Sequence, residues 1–493
     1  LAELSSAANT RNFLVARRLF ATSLGAIFFC AFASLGVQVR GLFGARGIVP
    51  VAEFLGQVRD QLGGSAWRQV PTLCWLDASD GFLVGLCVAG CVLSLVLAAG
   101  FAPGACALAL WALYLSFCAV GSPFLNFQWD ALLLETALLA VFYLPWSVRP
   151  AWHRESRVSG LSRWLLWWLL FRLMFESGVV KLSSGDDTWR QLTALQFHFE
   201  TQPLPIWTAW FVHQLPHWIL AAMTVAVFAI ELVAPFLIPA PRRVRHAAAL
   251  ALIALQVIIL ATGNYAFFNL LTIALCLPLL DDEFWPQRWR GRYSPVAAEG
   301  PVQAWPRWLF APVAAVIVVV TAMPLVGSLR TGAHWPEAFT KLQRALEPSM
   351  SFNGYGLFAV MTTTRPEIIV EGSADAVYWQ AYEFRWKPGN VHTRPDLVAP
   401  HQPRLDWQMW FAALSDYQHN PWFIRFLARL LEGSPEVLAL LEWNPFPQRP
   451  PRYVRAVVYD YHFTRLGQGG SAWWTRGEPA LYCPTISLKQ AEE

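Results

Sequence analysis

The sequence predicts a polytopic α-helical membrane protein of about eight to nine spans followed by a C-terminal soluble α+β domain rich in strands. Three observations carry that prediction. The 493 residues are 55% hydrophobic and only 14% charged, where soluble domains carry about 25% charged residues. Mean hydropathy is positive, at +0.37. The scarcity of charge is confined to the first two thirds of the chain. This composition excludes a disordered chain, a nucleic-acid-binding tail protein and a disulfide-rich secreted scaffold.

The first apolar run, Leu19 to Val37, follows Arg11, Arg17 and Arg18 and so resembles a signal sequence. Its length of about 19 residues and the lack of a small-residue cleavage site favour a retained span. Runs long enough to cross a bilayer, about 17 to 25 residues, continue at 81–100, 104–121, 124–145, 164–182, 217–239, 247–263, 265–280 and 309–327. The 247–280 pair is divided only by Thr262, Gly263, Asn264 and Tyr265, so a tight turn between two short spans competes with one kinked or re-entrant segment. Six cysteines (Cys30, Cys87, Cys91, Cys106, Cys118, Cys276) lie in apolar runs, where a thiol behaves as a small hydrophobe. Cys87 and Cys91, one helical turn apart, read as packing rather than as a metal or redox pair. Cys74 and Cys483 fall in polar segments on the outer side of this arrangement, and a disulfide between them is the minor reading.

An inside N-terminus and strict alternation assign every loop to a side. Fourteen arginines then fall inside (Arg11, Arg17, Arg18, Arg149, Arg154, Arg157, Arg163, Arg242, Arg243, Arg245, Arg288, Arg290, Arg292, Arg307) and five outside (Arg40, Arg46, Arg59, Arg68, Arg190). This is the bias of the positive-inside rule. Nine spans place the polar remainder opposite the cytoplasm, so residues 1–327 form the membrane domain and 328–493 an extracytoplasmic domain; loss of one span reverses that side. Strands are expected at Gly356 to Thr363, Pro366 to Gly372, Val377 to Trp386 and Tyr453 to Phe463, where β-branched and aromatic residues alternate with polar ones. Helices are expected at His334 to Leu346, Trp407 to Leu414, Trp422 to Glu432 and Pro435 to Trp443.

A charge at the bilayer centre costs on the order of 3 kcal/mol, so one that persists faces protein or a wet cavity. Asp130 and Glu135 fall in the fourth span, Arg172 and Glu176 in the fifth, and Glu231 in the sixth. Arg172 and Glu176, four residues apart, share a helical face and are expected to pair with each other. Lys181 closes the fifth span in a chain that holds 33 arginines and four lysines, the others being Lys341, Lys387 and Lys489. Lysine, unlike arginine, deprotonates readily when buried and so suits a base; a side chain snorkelling to the interface explains it equally. The following loop carries His198, Glu200 and Gln202 among aromatics, suited to a polar site mouth or an interfacial segment. No metal site is expected, because His198 and Glu200 have a poor spacing and nothing nearby completes a zinc set. There is no GxGxxG, P-loop, HExxH or G-x-S-x-G, which disfavours a nucleotide-driven pump or a self-contained lipase, and without an inverted repeat a transporter is disfavoured.

Several strings together resemble one family. They are Asn126-Phe127-Gln128-Trp129-Asp130 through Glu135-Thr136, Phe171-Arg172-Leu173-Met174 through Lys181, Phe197 through Pro203, Gly263 through Thr272, and Leu280-Asp281-Asp282. In the tail they are Arg365-Pro366-Glu367, Ile369 through Ser373, Pro400 through Phe411, and Asn444-Pro445-Phe446-Pro447. The chain is similar, nearly throughout and in order, to the lipase maturation factors. That resemblance implies a polytopic protein, of the endoplasmic reticulum membrane in animals, whose lumenal parts help newly made dimeric lipases fold and assemble, with no agreed catalytic residue. The arginine- and alanine-rich usage looks bacterial, which implies an inner membrane and a periplasmic tail. Gly178 to Lys181, followed by Trp189, is also similar to the segment of the vitamin K-dependent carboxylases that carries their base lysine, within the wider horizontally transferred transmembrane superfamily.

Two functions follow as expectations. The first is a non-enzymatic folding factor that needs no cofactor, with membrane lipids and a secreted client, of the lipase class by resemblance, as partners. Its support is the tail's aromatic density, since interfaces favour such residues, although most of those rings are expected in the core. His401, Arg404, Asp406 and Trp407 belong to this tail motif, the three polar ones read as a buried network tying it to the sheet. The second is a membrane enzyme with Lys181 as base on a quinone-like or lipid substrate, Glu135, Arg172 and Glu176 lining its pocket, and His198 or Glu200 at the mouth.

Overall fold

The computed structural model describes residues 12–149, 157–293, 302–303, 305–330, 332 and 334–488. Arg11, Arg154 and Lys489 lie outside the described residues. The long helices are α1 (Leu14–Gly36), α2 (Asp80–Ala99), α3 (Pro103–Cys118), α4 (Gln128–Tyr143) and α5 (Gly160–Ser183). After two short helices, α6 (Ala194–Thr201) and α7 (Trp207–His213), come α8 (His217–Val233), α9 (Arg242–Thr262), α10 (Phe268–Cys276) and α11 (Arg307–Leu329). Among the described residues five helices are long and apolar enough to cross a membrane: Leu14–Gly36, Asp80–Ala99, His217–Leu237, Arg242–Thr262 and Trp308–Leu329. Pro103–Cys118 and Phe268–Leu279 are apolar but shorter. Helices α4 and α5 fall outside the five and carry the buried Asp130, Glu135, Arg172, Glu176 and Lys181. Most of α4 is enclosed by its neighbours, as polar groups require where lipid supplies no hydrogen bonds.

Close backbone approach packs α1 on α2. A Cβ on Gly25 would sit 2.7 Å from both Ser94 O and Ala98 N, so only glycine allows that contact. One end of the bundle is tied by polar contacts. Arg18 Nη2 donates to Ala98 O (2.8 Å), Ala102 N to Val148 O (3.2 Å), Val15 N to Asp282 Oδ1 (2.9 Å) and Arg245 Nε to Leu279 O (2.8 Å). Residues Gly263 to Phe267 form a non-helical turn between α9 and α10. Because α10 ends beside the start of α9, the two run antiparallel, which is the turn reading of 247–280.

The opposite end carries the tail. Its helices are α12 (Glu337–Leu346), α13 (Arg404–Ala413), α14 (Pro421–Leu431) and α15 (Pro435–Leu438). Its strands are β1 (Pro366–Ser373), β2 (Gln380–Ala381), β3 (Glu383–Phe384), β4 (Leu441–Trp443), β5 (Tyr453–Phe463), β6 (Trp474–Arg476) and β7 (Ala480–Ile486). A five-stranded antiparallel sheet runs β2-β1-β5-β6, with β7 also on β5, and β3 pairs with β4 separately. The β1–β5 register joins Pro366 to Asp460 and Ser373 to Tyr453. Burial along β5 alternates at Val454 and Ala456, changes phase after the buried Val457, and alternates again at Tyr461 and Phe463, while α14 packs Phe423, Phe426, Leu427 and Leu430 beneath the sheet.

Three expected elements differ. Gly356 to Thr363 forms turns, because its amides are held by side chains of other segments instead of a ladder: Gly356 N donates to Gln128 Oε1 (3.2 Å) and Met361 N to Asp186 Oδ2 (2.7 Å). Phe358 there has φ 56°, a left-handed conformation that no strand continues through. Val377 to Trp386 opens as a turn around Asp375, whose Oδ1 accepts from Val377 N and Tyr378 N at 2.9 Å, leaving only the two short strands β2 and β3. Pro435 to Trp443 is helical only to Leu438 and then becomes β4. The sequence reading also missed β6 and β7. Cys74 and Cys483 are both free and buried.

Candidate functional site

The ionisable residues of the membrane helices divide among separate assemblies, so Asp130, Glu135, Arg172 and Glu176 are not one cluster. Asp130, in the first turn of α4, meets Arg404 of α13 in a two-pronged ion pair, Nη1–Oδ2 2.7 Å and Nη2–Oδ1 2.8 Å. Tyr114 Oη donates to Asp130 Oδ1 at 2.5 Å, and Phe124 O accepts from Arg404 Nη1 at 2.9 Å. All three side chains are buried. Beside them Arg404 N donates to Gln38 Oε1 (2.9 Å), Gln402 N to Ser34 Oγ (2.9 Å), and His401 Nδ1 lies 2.8 Å from Ser34 Oγ. Trp407 packs edge-on against Trp129 at 4.7 Å. The expected network of His401, Arg404 and Asp406 is therefore split. His401 and Arg404 grip the membrane helices, and only Asp406 works inside the tail, accepting from Trp386 N (2.9 Å) and Lys387 N (3.0 Å).

The second assembly corrects the expected pairing of Arg172 with Glu176. Arg172 pairs across helices with Glu135 and donates to Asn353 O at 2.8 Å. Tyr355 Oη donates to Glu135 Oε2 (2.7 Å) and Tyr355 N to Glu176 Oε2 (2.6 Å). The charges thus anchor the segment that enters the tail, a partner that helical spacing alone could not reveal.

The loop after α5 is a clamp for the tail. Glu200 accepts from Phe463 N (2.7 Å) and lies 3.1 Å from His462 Nδ1. Arg365, fully buried, donates to the carbonyls of Glu200 (2.7 Å), Gln202 and Pro203 (3.0 Å) and to Glu367 (2.7 Å). Gln202 spans to Thr262 O (2.8 Å) and accepts from Tyr265 Oη (2.8 Å). Asn264 was legible only as a turn residue, yet it uses both ends of its amide. Nδ2 donates to Asp396 O (2.8 Å), and Oδ1 accepts from Val398 N (2.8 Å) and Ala399 N (3.0 Å).

Lys181 stands apart at a cavity of about 100 Å3 between α5, α8, α9 and α10. It is 5% exposed and donates to both oxygens of Glu231 (2.8 and 3.0 Å) and to Ser177 O (3.0 Å), with Trp189 5.4 Å away face-on. All three Nζ donors are therefore occupied, the geometry of an ion pair, and no lone pair is directed into the cavity. His198 also lines it, 3.2 Å from Tyr265 Oη. Burial, and then the Lys181 charge, lower the His198 pKa to about 4, so the ring is neutral. Glu135, Arg172, Glu176 and Glu200 do not line this cavity. Among the described residues no group of three or more His, Cys, Asp or Glu is placed to hold a metal ion.

With this geometry in place, two family models match the chain. The lipase maturation factor transmembrane domain matches residues 15–287, and the lipase maturation factor C-terminal domain matches residues 351–484. The chain is 37% identical to lipase maturation factor 2 of Homo sapiens, over 96% of this chain and 82% of that protein. It is 35% identical to lipase maturation factor 2 of Xenopus laevis, with the same coverage, and 33% identical to lipase maturation factor 1 of Bos taurus, over 96% of this chain and 89% of that protein. No solved structure matches.

Proposed function

The chain belongs to the lipase maturation factor family, and from that premise we propose that it assists the folding or assembly of secreted lipases or other exported clients at the outer face of a membrane. The observation that carries the reading is an aromatic edge left open on a domain otherwise fastened down. Tyr378 is 77% exposed and Trp443 54%. Trp443 pairs opposite Glu383 across β3 and β4, and Tyr378 lies on the same connection, just before β2. Large exposed rings on a rigid frame are what a client interface uses, because they bury much area for little lost freedom. The test is co-expression with a secreted dimeric lipase. Y378A/W443A should lower the yield of active lipase several-fold at unchanged abundance and melting temperature of the factor, and an unchanged yield sinks the reading.

We read α1 to α5 and α8 to α11 as nine crossings, with the tail outside. The arginine bias and the gathering of alternate helix ends at opposite faces of the bundle support this. A cysteine replacing exposed Glu442 should then react with an impermeant thiol reagent on intact spheroplasts; reaction only after permeabilisation reverses the topology. A bacterial inner membrane and a periplasmic tail are part of the same proposal. The distant kinship with the carboxylases rests on Gly178 to Lys181 and Trp189, where the lysine and the indole meet. The occupied donors of Lys181 favour an ion pair over a base, and so a folding factor over an enzyme.

A further inference from the structure

The Lys181 cavity lies where α5, α8, α9 and α10 meet the segment that enters the tail, with Leu357 and Phe358 in its lining, and its chemistry is specific. Its walls are mostly apolar, with Leu173, Met174, Val227, Ile259 and Phe268 from four helices. A dry apolar cavity of about 150 Å3 accepts one benzene ring, so space of this order suits a small head group. Two features say what the occupant's head must be. The Lys181–Glu231 ion pair is closed on itself and His198 is neutral, so the lining presents no spare charge of either sign to an ionised head. Asn269, 1% exposed, lines the cavity and donates through Nδ2 to Gln256 Oε1 (2.9 Å), while its Oδ1 is buried with no hydrogen-bond partner. A buried carbonyl without a donor is costly, so the missing group is a donor.

We propose that this cavity takes the head of a neutral, hydroxyl-bearing membrane lipid, whose O–H is donated to Asn269 Oδ1 and whose first carbons lie among Met174, Val227 and Phe268. The rest of the chain runs out along α8 and α9, whose apolar windows are only 28% and 33% buried and so face lipid. An anionic head is excluded by the Glu231 carboxylate, and a cationic one by Lys181 with no second carboxylate at hand. The site does not rest on the client-binding reading, since its lining includes neither Tyr378 nor Trp443.

The test uses the full chain in nanodiscs and a hexadecanol carrying a diazirine near its hydroxyl. Photolabelling should map to peptides containing Met174 or Phe268, and unlabelled hexadecanol should compete at least tenfold better than palmitate at pH 8. V227W fills the cavity from α8 while keeping both members of the ion pair and should cut labelling at least fivefold; N269L removes the acceptor and should do the same. Size exclusion and the melting temperature report whether each variant is folded, and V227M replaces V227W if it is not. Labelling that V227W leaves unchanged means annular lipid only and overturns the proposal. Equal competition by palmitate, or ordered water with no labelling, overturns it as well.

Discussion

Arg404 of α13 donates both terminal nitrogens to Asp130 of α4, 274 residues away in sequence, in an ion pair with each side chain 1% exposed. The tail is thereby locked to one end of the membrane helices by a bond that water does not reach. Removing one partner strands the other as a buried charge.

Such a break costs about 3 to 5 kcal/mol, so R404M and D130N should each lower the melting temperature in detergent and speed proteolysis of the tail. The double variant R404M/D130N removes both charges and should recover most of that loss, because no buried charge is left without its counterion. Additive losses in the double variant would show that the two residues act separately.

What the sequence disclosed follows from where the partners of each group lie. Apolar runs report helices directly, since lipid admits little else, and the alternation of Tyr453 to Phe463 became β5 with the same ends. Identity was legible in long strings such as Pro400 through Phe411. Pairing was not. Arg172 had an acceptable local partner in Glu176, yet Tyr355 and Asn353 changed the choice by bringing in backbone groups from 180 residues away. Asn264, Arg365 and Tyr355 were missed as clamps because a residue that bonds to distant carbonyls and amides leaves no periodic signal. Glu231 was visible as a membrane charge, but nothing in the spacing named it as the partner of Lys181.

Acid should act on the tail in two opposing ways. Burial, then Arg404 and Arg385, lower the His401 pKa to about 4. The stability tied to its neutral form is present above about 6.5 and is lost as pH falls through 4. Burial raises Asp406 to about 6, against its ordinary 3.8. Its contribution is full below 3.8 and is lost as pH rises through 6. Each slope is at most about 1.4 kcal/mol per pH unit within its window. Unfolding profiles between pH 7 and 5 should therefore show H401N gaining on the wild type as pH falls. D406N keeps an acceptor for the Trp386 and Lys387 amides, and any advantage it holds at pH 7 should shrink towards pH 5. Profiles parallel to the wild type in both variants would remove these residues from the pH response.

The last prediction concerns whether Lys181 acts by position or by chemistry. Its three donors go to Glu231 and to Ser177 O, so its first consequence is to neutralise a carboxylate on α8 within the bundle. K181M leaves Glu231 unpaired and should destabilise the chain by about 3 to 5 kcal/mol, the scale of a broken buried pair. K181M/E231Q should regain most of it. K181R keeps a charge and two or more donors towards Glu231 but supplies no base at neutral pH. Lipase yield from cells carrying K181R should therefore stay within twofold of wild type, whereas K181M should fall in step with the amount of folded factor. A K181R chain that folds and accumulates normally while lipase yield collapses would show that proton transfer at Lys181, and not the ion pair, is what the function requires.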